Sequence, residues 1–355
     1  MDLPRARAFS AVTTALRCQC ARRWLRLVLE VFFFGWAMVL NSISKLSHDI
    51  IKSVSNSLPL LVIVGPTATG KTALAIALAQ RLDTEILSAD SRQVYRGMDI
   101  GTAKPTLAER AGVIHHLIDL CTLDQTYTVA QYQTAARDLV AKLHGQGRTP
   151  ILAGGTGLYI QAVTAGLVIP PVPPAPALRA GLEPLSAPEL HNKLQGLDPQ
   201  RATQIHPQDR VRLLRALEIY LTLGYSPPRR VEPPPYPVLT VGLDYLDPDG
   251  YTQRLQTRTE AMLAQGWLTE LRQLQEMYSP THPLLKTLGY EQMGAYLAGQ
   301  VSERAAIQET VLRTRQYAKR QRTWFRRNLM THWFDTAHQS LDEVVARVQQ
   351  LLVLP

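Results

Sequence analysis

The sequence predicts an α/β fold: a mostly parallel sheet covered by helices on both faces, with a small helical domain inserted. Three observations predict it. LPLLVIVG (58–65) is a run of branched apolar residues ending at a glycine, and TALAIALA (72–79) follows with helix formers, so a strand passes through a tight loop into a helix. The pattern then repeats, with TEILSAD (84–90) and Pro150 to Ala153 as strands and Val129 to His144 as a helix closed by Gly145-Gln146-Gly147. Strands that alternate with helices argue a parallel sheet. Lastly, IPPVPPAP (169–176) and SPPRRVEPPPYP (226–237) carry prolines that exclude helix interiors and central strands, and helical patterns such as Arg210 to Leu223 lie between them.

These proline stretches divide the chain into a first core part (59–169), a helical insert (170–236) and a second core part (237–355). PVLTVGLDY (237–245) reads as a returning strand, long helices are expected over about 250–278 and 303–327, and a short strand near His332 to Phe334. Residues 1–58 stand apart as a non-core extension, either disordered or a weak apolar helix. Leu27 to Leu40 follows Arg22, Arg23 and Arg26 but contains Glu30 and is shorter than the roughly 20 residues of a spanning helix. No small-x-small cleavage site follows it. If the extension belongs to the natural protein, it is the segment that would touch a membrane.

The 355 residues are 46% hydrophobic and 19% charged, which suits a folded soluble chain rather than a disordered one. Net charge is +9, unevenly spread. Residues 301–330 hold eight Lys/Arg against Glu303 and Glu309, a net of +6, which points to a polyanionic partner. Cys18, Cys20 and Cys121 form neither a disulfide framework nor a C-x-x-C pair, as expected for the reducing cytoplasm.

Gly65-Pro66-Thr67-Ala68-Thr69-Gly70-Lys71-Thr72 fits G-x-x-x-x-G-K-[ST] at every fixed position, so the sheet is expected to be of the P-loop NTPase-like kind. Its amides and the helix N-terminus favour a diphosphate or triphosphate, Lys71 supplies a fixed positive charge, and Thr72 offers a hydroxyl to Mg²⁺. The loop does not name the leaving group: ATP hydrolysis, phosphoryl transfer and expulsion of diphosphate need the same cradle.

Asp90, at the end of the second strand, is expected to face that cradle, either ligating Mg²⁺ through water, accepting a proton from a nucleophile, or capping the next turn. SRQVYRGMDIGTAKP (91–105) is polar and aperiodic, as a binding surface is. GGTGLY (154–159) is a second glycine loop beyond a strand, with Thr156 as a ligand contact or a helix cap. The adjacent His115 and His116 have poor metal-ligand spacing and read as structural or surface residues.

In RTRQYAKRQRTWFRR (313–327), Arg313, Tyr317, Arg320, Trp324 and Arg327 share one helical face, and Arg315, Lys319, Arg322 and Arg326 another. Arg322 is read as a contact to a nucleic-acid backbone and Arg320 as the arginine reaching the diphosphate. Tyr317 and Trp324 are open to base stacking or core packing.

GPTATGKT, ADSRQVYRGMDIGTAKP, GGTGLYIQA, HPQDRVRLLRALEIY, LGYEQM and TRQYAKRQRTWFR, in this order, resemble the motifs of bacterial tRNA dimethylallyltransferases over about residues 59–345. The resemblance implies transfer of a dimethylallyl group from dimethylallyl diphosphate to N6 of adenosine 37 in tRNAs reading codons that begin with U, with Mg²⁺ as cofactor. It makes Asp90 the general base, with Lys71 and Thr156 beside it as catalytic residues. Gly65 to Thr72 then hold the prenyl diphosphate. Asp90, Ser91, Arg92, Gln93, Thr156, Gln208, Asp209, Arg210, Val211 and Arg212 lie on the tRNA. The insert would grip the anticodon stem-loop, and a flipped adenine would meet the donor in a channel. No protein partner is required, and the enzyme is expected to be a monomer. A small-molecule or nucleotide kinase is the rival reading, and an RNA-binding protein with a relic phosphate loop a third.

Overall fold

The computed structural model of the protein describes residues 58–353 except Arg229, so the extension read over the first 58 residues lies, save for Leu58, outside the described residues. The strands there are β1 (Leu60–Val64), β2 (Ile86–Ala89), β3 (His115–His116), β4 (Ile151–Gly154), β5 (Val238–Asp244) and β6 (His332–Asp335). They form one sheet in the order β3-β2-β4-β1-β5-β6, and every pairing is parallel. Branched apolar residues fill β1 because it is central and buried on both faces.

Alternation along β1 sorts the core into two layers. Leu60, Val62 and Val64 face α2 (Val129–Gly145) and α3 (Gly157–Thr164), joined by side chains of α9 (Trp267–Tyr278), α10 (Tyr290–Leu297) and α11 (Glu303–Phe325). Leu61 and Ile63 face α1 (Lys71–Arg81) and α12 (Leu341–Val353). The expectation of helices on both faces is thereby met. Helix α12, whose Val344, Val345 and Val348 seal the second layer, did not stand out in the sequence, nor did the two-residue β3. His116 there is structural: its Nε2 lies 2.5 Å from Glu85 Oε2.

The long helix expected over about 250–278 is two, α8 (Pro248–Ala264) and α9, broken at Gly266 in the left-handed region. Between the proline stretches lie α4 (Pro176–Leu182), α5 (Ala187–Leu197), α6 (Pro199–Ala202) and α7 (Arg210–Leu223), around a core that includes Leu190, Leu194, Leu213 and Leu217. The two connectors pair with each other: Val168 N–H donates to Arg230 O at 3.0 Å and Glu232 N–H to Gly166 O at 2.8 Å. No helix among the described residues is long and apolar enough to cross a membrane.

Candidate active site

The phosphate loop runs from the carboxyl end of β1 into α1, where ligands of parallel sheets bind. Gly65 presses on the end of β5, so that a Cβ there would lie 2.1 Å from Leu243 O. Within the loop, the Pro66 carbonyl accepts from Thr69 Oγ1 at 2.9 Å and from Lys71 Nζ at 2.5 Å. Burial, together with the nearby Arg258 charge and against the pull of Asp90, lowers the Lys71 ammonium to about 7. An anion in the cradle would restore its charge.

Two cavities open on this end of the sheet. The first, of 560 Å³, is lined by loop residues including Thr67, Ala68, Gly70, Lys71 and Thr72, by Asp90 and Gln93, and by Arg254 and Arg258 from α8. The second, of 410 Å³, is lined by Ser91, Arg92, Met262, Trp267, Lys286, Tyr290 and Arg320 among others. They meet where both reach Thr67, Asp90, Thr102, Arg258 and Tyr317. The two spaces thus share a boundary that includes Asp90.

Asp90 lies just past β2, with Oδ1 accepting the Arg92 N–H at 2.8 Å. The turn-capping role is therefore real, and it occupies one carboxylate oxygen. Burial and the Asp90 charge push the Tyr317 hydroxyl up to about 12. Gln93 points inward: its Oε1 accepts from Ser88 Oγ at 2.9 Å and its Nε2 donates to Ala103 O at 3.2 Å. Thr156 stands at the start of α3, yet its hydroxyl accepts the Ser91 N–H at 3.0 Å rather than capping the helix. Gly157 lies against Trp324, whose Nε1 would be 2.3 Å from a Cβ, so this tryptophan packs on the second glycine loop.

The basic helix α11 differs most from expectation. Arg320 lines the second cavity and lies over the Tyr317 ring; the arginines of the phosphate cavity are Arg254 and Arg258. Arg258 Nη1 donates to Thr67 Oγ1 at 3.2 Å, and Tyr251 Oη to Thr67 O at 2.8 Å. Arg322 is turned inward, with Nε 2.7 Å from Asp244 Oδ1. Asp244 is a strand-end carboxylate 2% exposed, and it draws the two nearest guanidinium groups, those of Arg322 and Arg326, for that reason.

Gln208, Asp209, Arg210, Val211 and Arg212 begin α7 and line neither cavity. Asp209 caps the helix by accepting the Arg212 N–H at 3.1 Å, and Arg210 donates to Leu185 O and Glu183 O. Val211, 79% exposed, and the half-exposed Arg212 side chain face outward.

Among the described residues, no group of three or more His, Cys, Asp and Glu side chains is assembled to hold a metal by itself. Thr72 and Asp90 nevertheless line one cavity, the kind of partial ligand set that suits Mg²⁺ when substrate phosphates complete it.

The family profile described as IPP transferase matches residues 93–328. The chain belongs to the IPP transferase family. It is 52% identical over 288 residues to a tRNA dimethylallyltransferase of Acaryochloris marina, covering 81% of this chain and 95% of that protein. A tRNA dimethylallyltransferase of Thermosynechococcus vestitus is also 52% identical, over 297 residues, with 83% and 95% covered. Among solved structures, the tRNA isopentenylpyrophosphate transferase of Bacillus halodurans superposes with a TM-score of 0.62 at 37% identity, covering 83% of this chain and 95% of its own. A eukaryotic dimethylallyltransferase acting on tRNA gives 0.71 at 30% identity, with 83% and 78% covered. The protein is thus an enzyme of a prenyl-transferring family, and its phosphate loop does not mark it as a kinase.

Proposed function

We propose that the protein transfers a dimethylallyl group from dimethylallyl diphosphate to N6 of adenosine 37 of tRNA and expels diphosphate. The observation that carries this reading is the meeting of two cavities at Asp90, one floored by the phosphate loop, the other flanked by Arg92, Lys286 and Arg320. In the reaction the N6–C bond forms as the allylic C–O bond breaks, the diphosphate leaves with the electron pair, and the amine proton passes to Asp90. A weak nucleophile of this kind depends on positioning and on neutralising the leaving group. Lys71, Arg254 and Arg258 surround the space for that group. Mg²⁺, held by Thr72, Asp90 through water and the phosphates, would supply further neutralising charge.

The adenine, flipped from the anticodon loop, enters the second cavity on the side lined by Ser91, Arg92, Lys286 and Arg320. The helical insert grips the anticodon stem-loop with the outward side chains at the start of α7. The buried free thiol of Cys121 fits a reducing, cytoplasmic setting.

The test is direct. The full chain is incubated with Mg²⁺, unmodified tRNA with A36-A37-A38 and labelled dimethylallyl diphosphate, with labelled ATP in a parallel reaction. Label on A37 is the expected result; ATP turnover without prenyl transfer would sink the proposal.

A further inference from the structure

Gln321 joins the two glycine loops of the site. It lies on α11, 5% exposed, with its carboxamide between them. Oε1 accepts the Thr67 N–H at 3.0 Å, and Nε2 donates to Gly155 O at 2.9 Å. One planar group therefore presents its acceptor to the phosphate loop and its donor to the loop after β4, which sets the spacing of the two backbones. Gly155 shows how close this approach is, because a Cβ there would lie 2.3 Å from Gln321 Nε2.

The grip is tight on both sides. At Thr67 the carbonyl receives Tyr251 Oη and the hydroxyl receives Arg258 Nη1, so α8 and α11 engage each polar group of this one loop residue. The Thr67 amide is consequently committed to Gln321 and is not offered to an anion. On the other side, Thr156 follows Gly155 and accepts the Ser91 N–H, and Ser91 follows Asp90. A continuous set of bonds thus leads from the phosphate loop through Gln321 to the residue next to the carboxylate.

We propose that Gln321 is a positioning residue that fixes the spacing between the diphosphate cradle and the loop beside Asp90, keeping donor carbon and acceptor amine in register. The proposal rests on the prenyl-transfer reading for its consequence in turnover, and on the geometry at Thr67 for its consequence in diphosphate binding.

Gln321→Met keeps the length of the side chain and removes both bonds; Gln321→Ala removes the bulk as well. The measurements are inorganic diphosphate affinity by calorimetry, kcat and KM for each substrate, and the thermal midpoint. For Gln321→Met the expected result is roughly a tenfold loss of diphosphate affinity and a loss of kcat at least as large, with tRNA KM within about twofold of wild type. Diphosphate affinity and kcat within about twofold of wild type overturn the proposal. So does a loss of kcat that travels with a raised tRNA KM and a lowered midpoint, the pattern of a general packing defect. Should Gln321→Ala not fold, Gln321→Met alone decides. A wild-type protein that binds diphosphate yet transfers no prenyl group would refute the functional reading, while the diphosphate arm would still test the hold on Thr67.

Discussion

Arg322 and Asp244 form an internal ion pair, Nε to Oδ1 at 2.7 Å, with the guanidinium also stacked 4.9 Å from the centre of the Tyr251 ring. Tyr251 in turn holds Thr67 of the phosphate loop. The arginine therefore braces the cradle from behind.

Arg322→Ala is accordingly expected to lower stability by about 1–3 kcal/mol, since Asp244 would keep Arg326 as its one ion-pair partner beside the Tyr245 N–H. Donor KM should rise while the salt dependence of tRNA binding stays unchanged. Urea unfolding and binding isotherms at several salt concentrations check this; a fall of about one in the salt slope would mean a phosphate contact instead.

The sheet and the cradle were legible because their signals are local. An apolar run, a glycine motif and a helix former sequence lie within residues 58–79, and the structure builds β1, loop and α1 there. The grip on Thr67 was not, because its partners lie 184, 191 and 254 residues away in sequence. A helical charge pattern also does not say which arginines turn inward. The available sign was Asp244, an acid closing an apolar strand, which needs cations near it once buried. Arg258 gave less warning, for it sits in α8 among ordinary polar residues.

Asp90→Asn is the substitution that separates proton acceptance from structure. Asparagine Oδ1 can still accept the Arg92 N–H, so the turn should persist. The expected loss of kcat is about 10²–10⁴-fold, with tRNA affinity, and diphosphate affinity measured without Mg²⁺, nearly unchanged. Single-turnover kinetics beside tRNA binding measure it, and turnover close to wild type would remove Asp90 as the base.

Lys71 makes diphosphate binding dependent on pH. With no anion bound its ammonium titrates near 7, and a bound diphosphate raises that value. Below about 7 the group is already charged and binding takes up no proton. As pH rises above about 7, binding must protonate Lys71, so affinity should fall by up to about tenfold per pH unit. Calorimetry at about pH 8 and about pH 9 in buffers of different ionisation heat should register proton uptake. Lys71→Met should abolish both the uptake and the slope; an unchanged slope in that variant would assign the effect to another group.

Glu218 is the keystone of the helices between the proline stretches. Its carboxylate is fully buried and accepts from Arg179 Nε at 2.8 Å, Ala175 N–H at 2.7 Å and Arg215 Nη1 at 2.5 Å, while Arg215 Nη2 reaches Val172 O. It thereby ties α4 and α7 to the first connector. Burial alone would raise the carboxyl, but these bonds outweigh it and hold it down to about 2, against about 4.5 for a free glutamate. A depressed carboxylate stabilises fully above about pH 4.5 and loses that contribution as pH falls toward about 2. Glu218→Gln should cost about 2 kcal/mol near neutrality, less than a fully enclosed pair because both arginines still reach water. The stability gap between wild type and variant should then narrow as pH falls from about 5 toward about 3, followed by thermal unfolding of each. A gap that stays constant over that range would show that the carboxylate charge does not hold these helices.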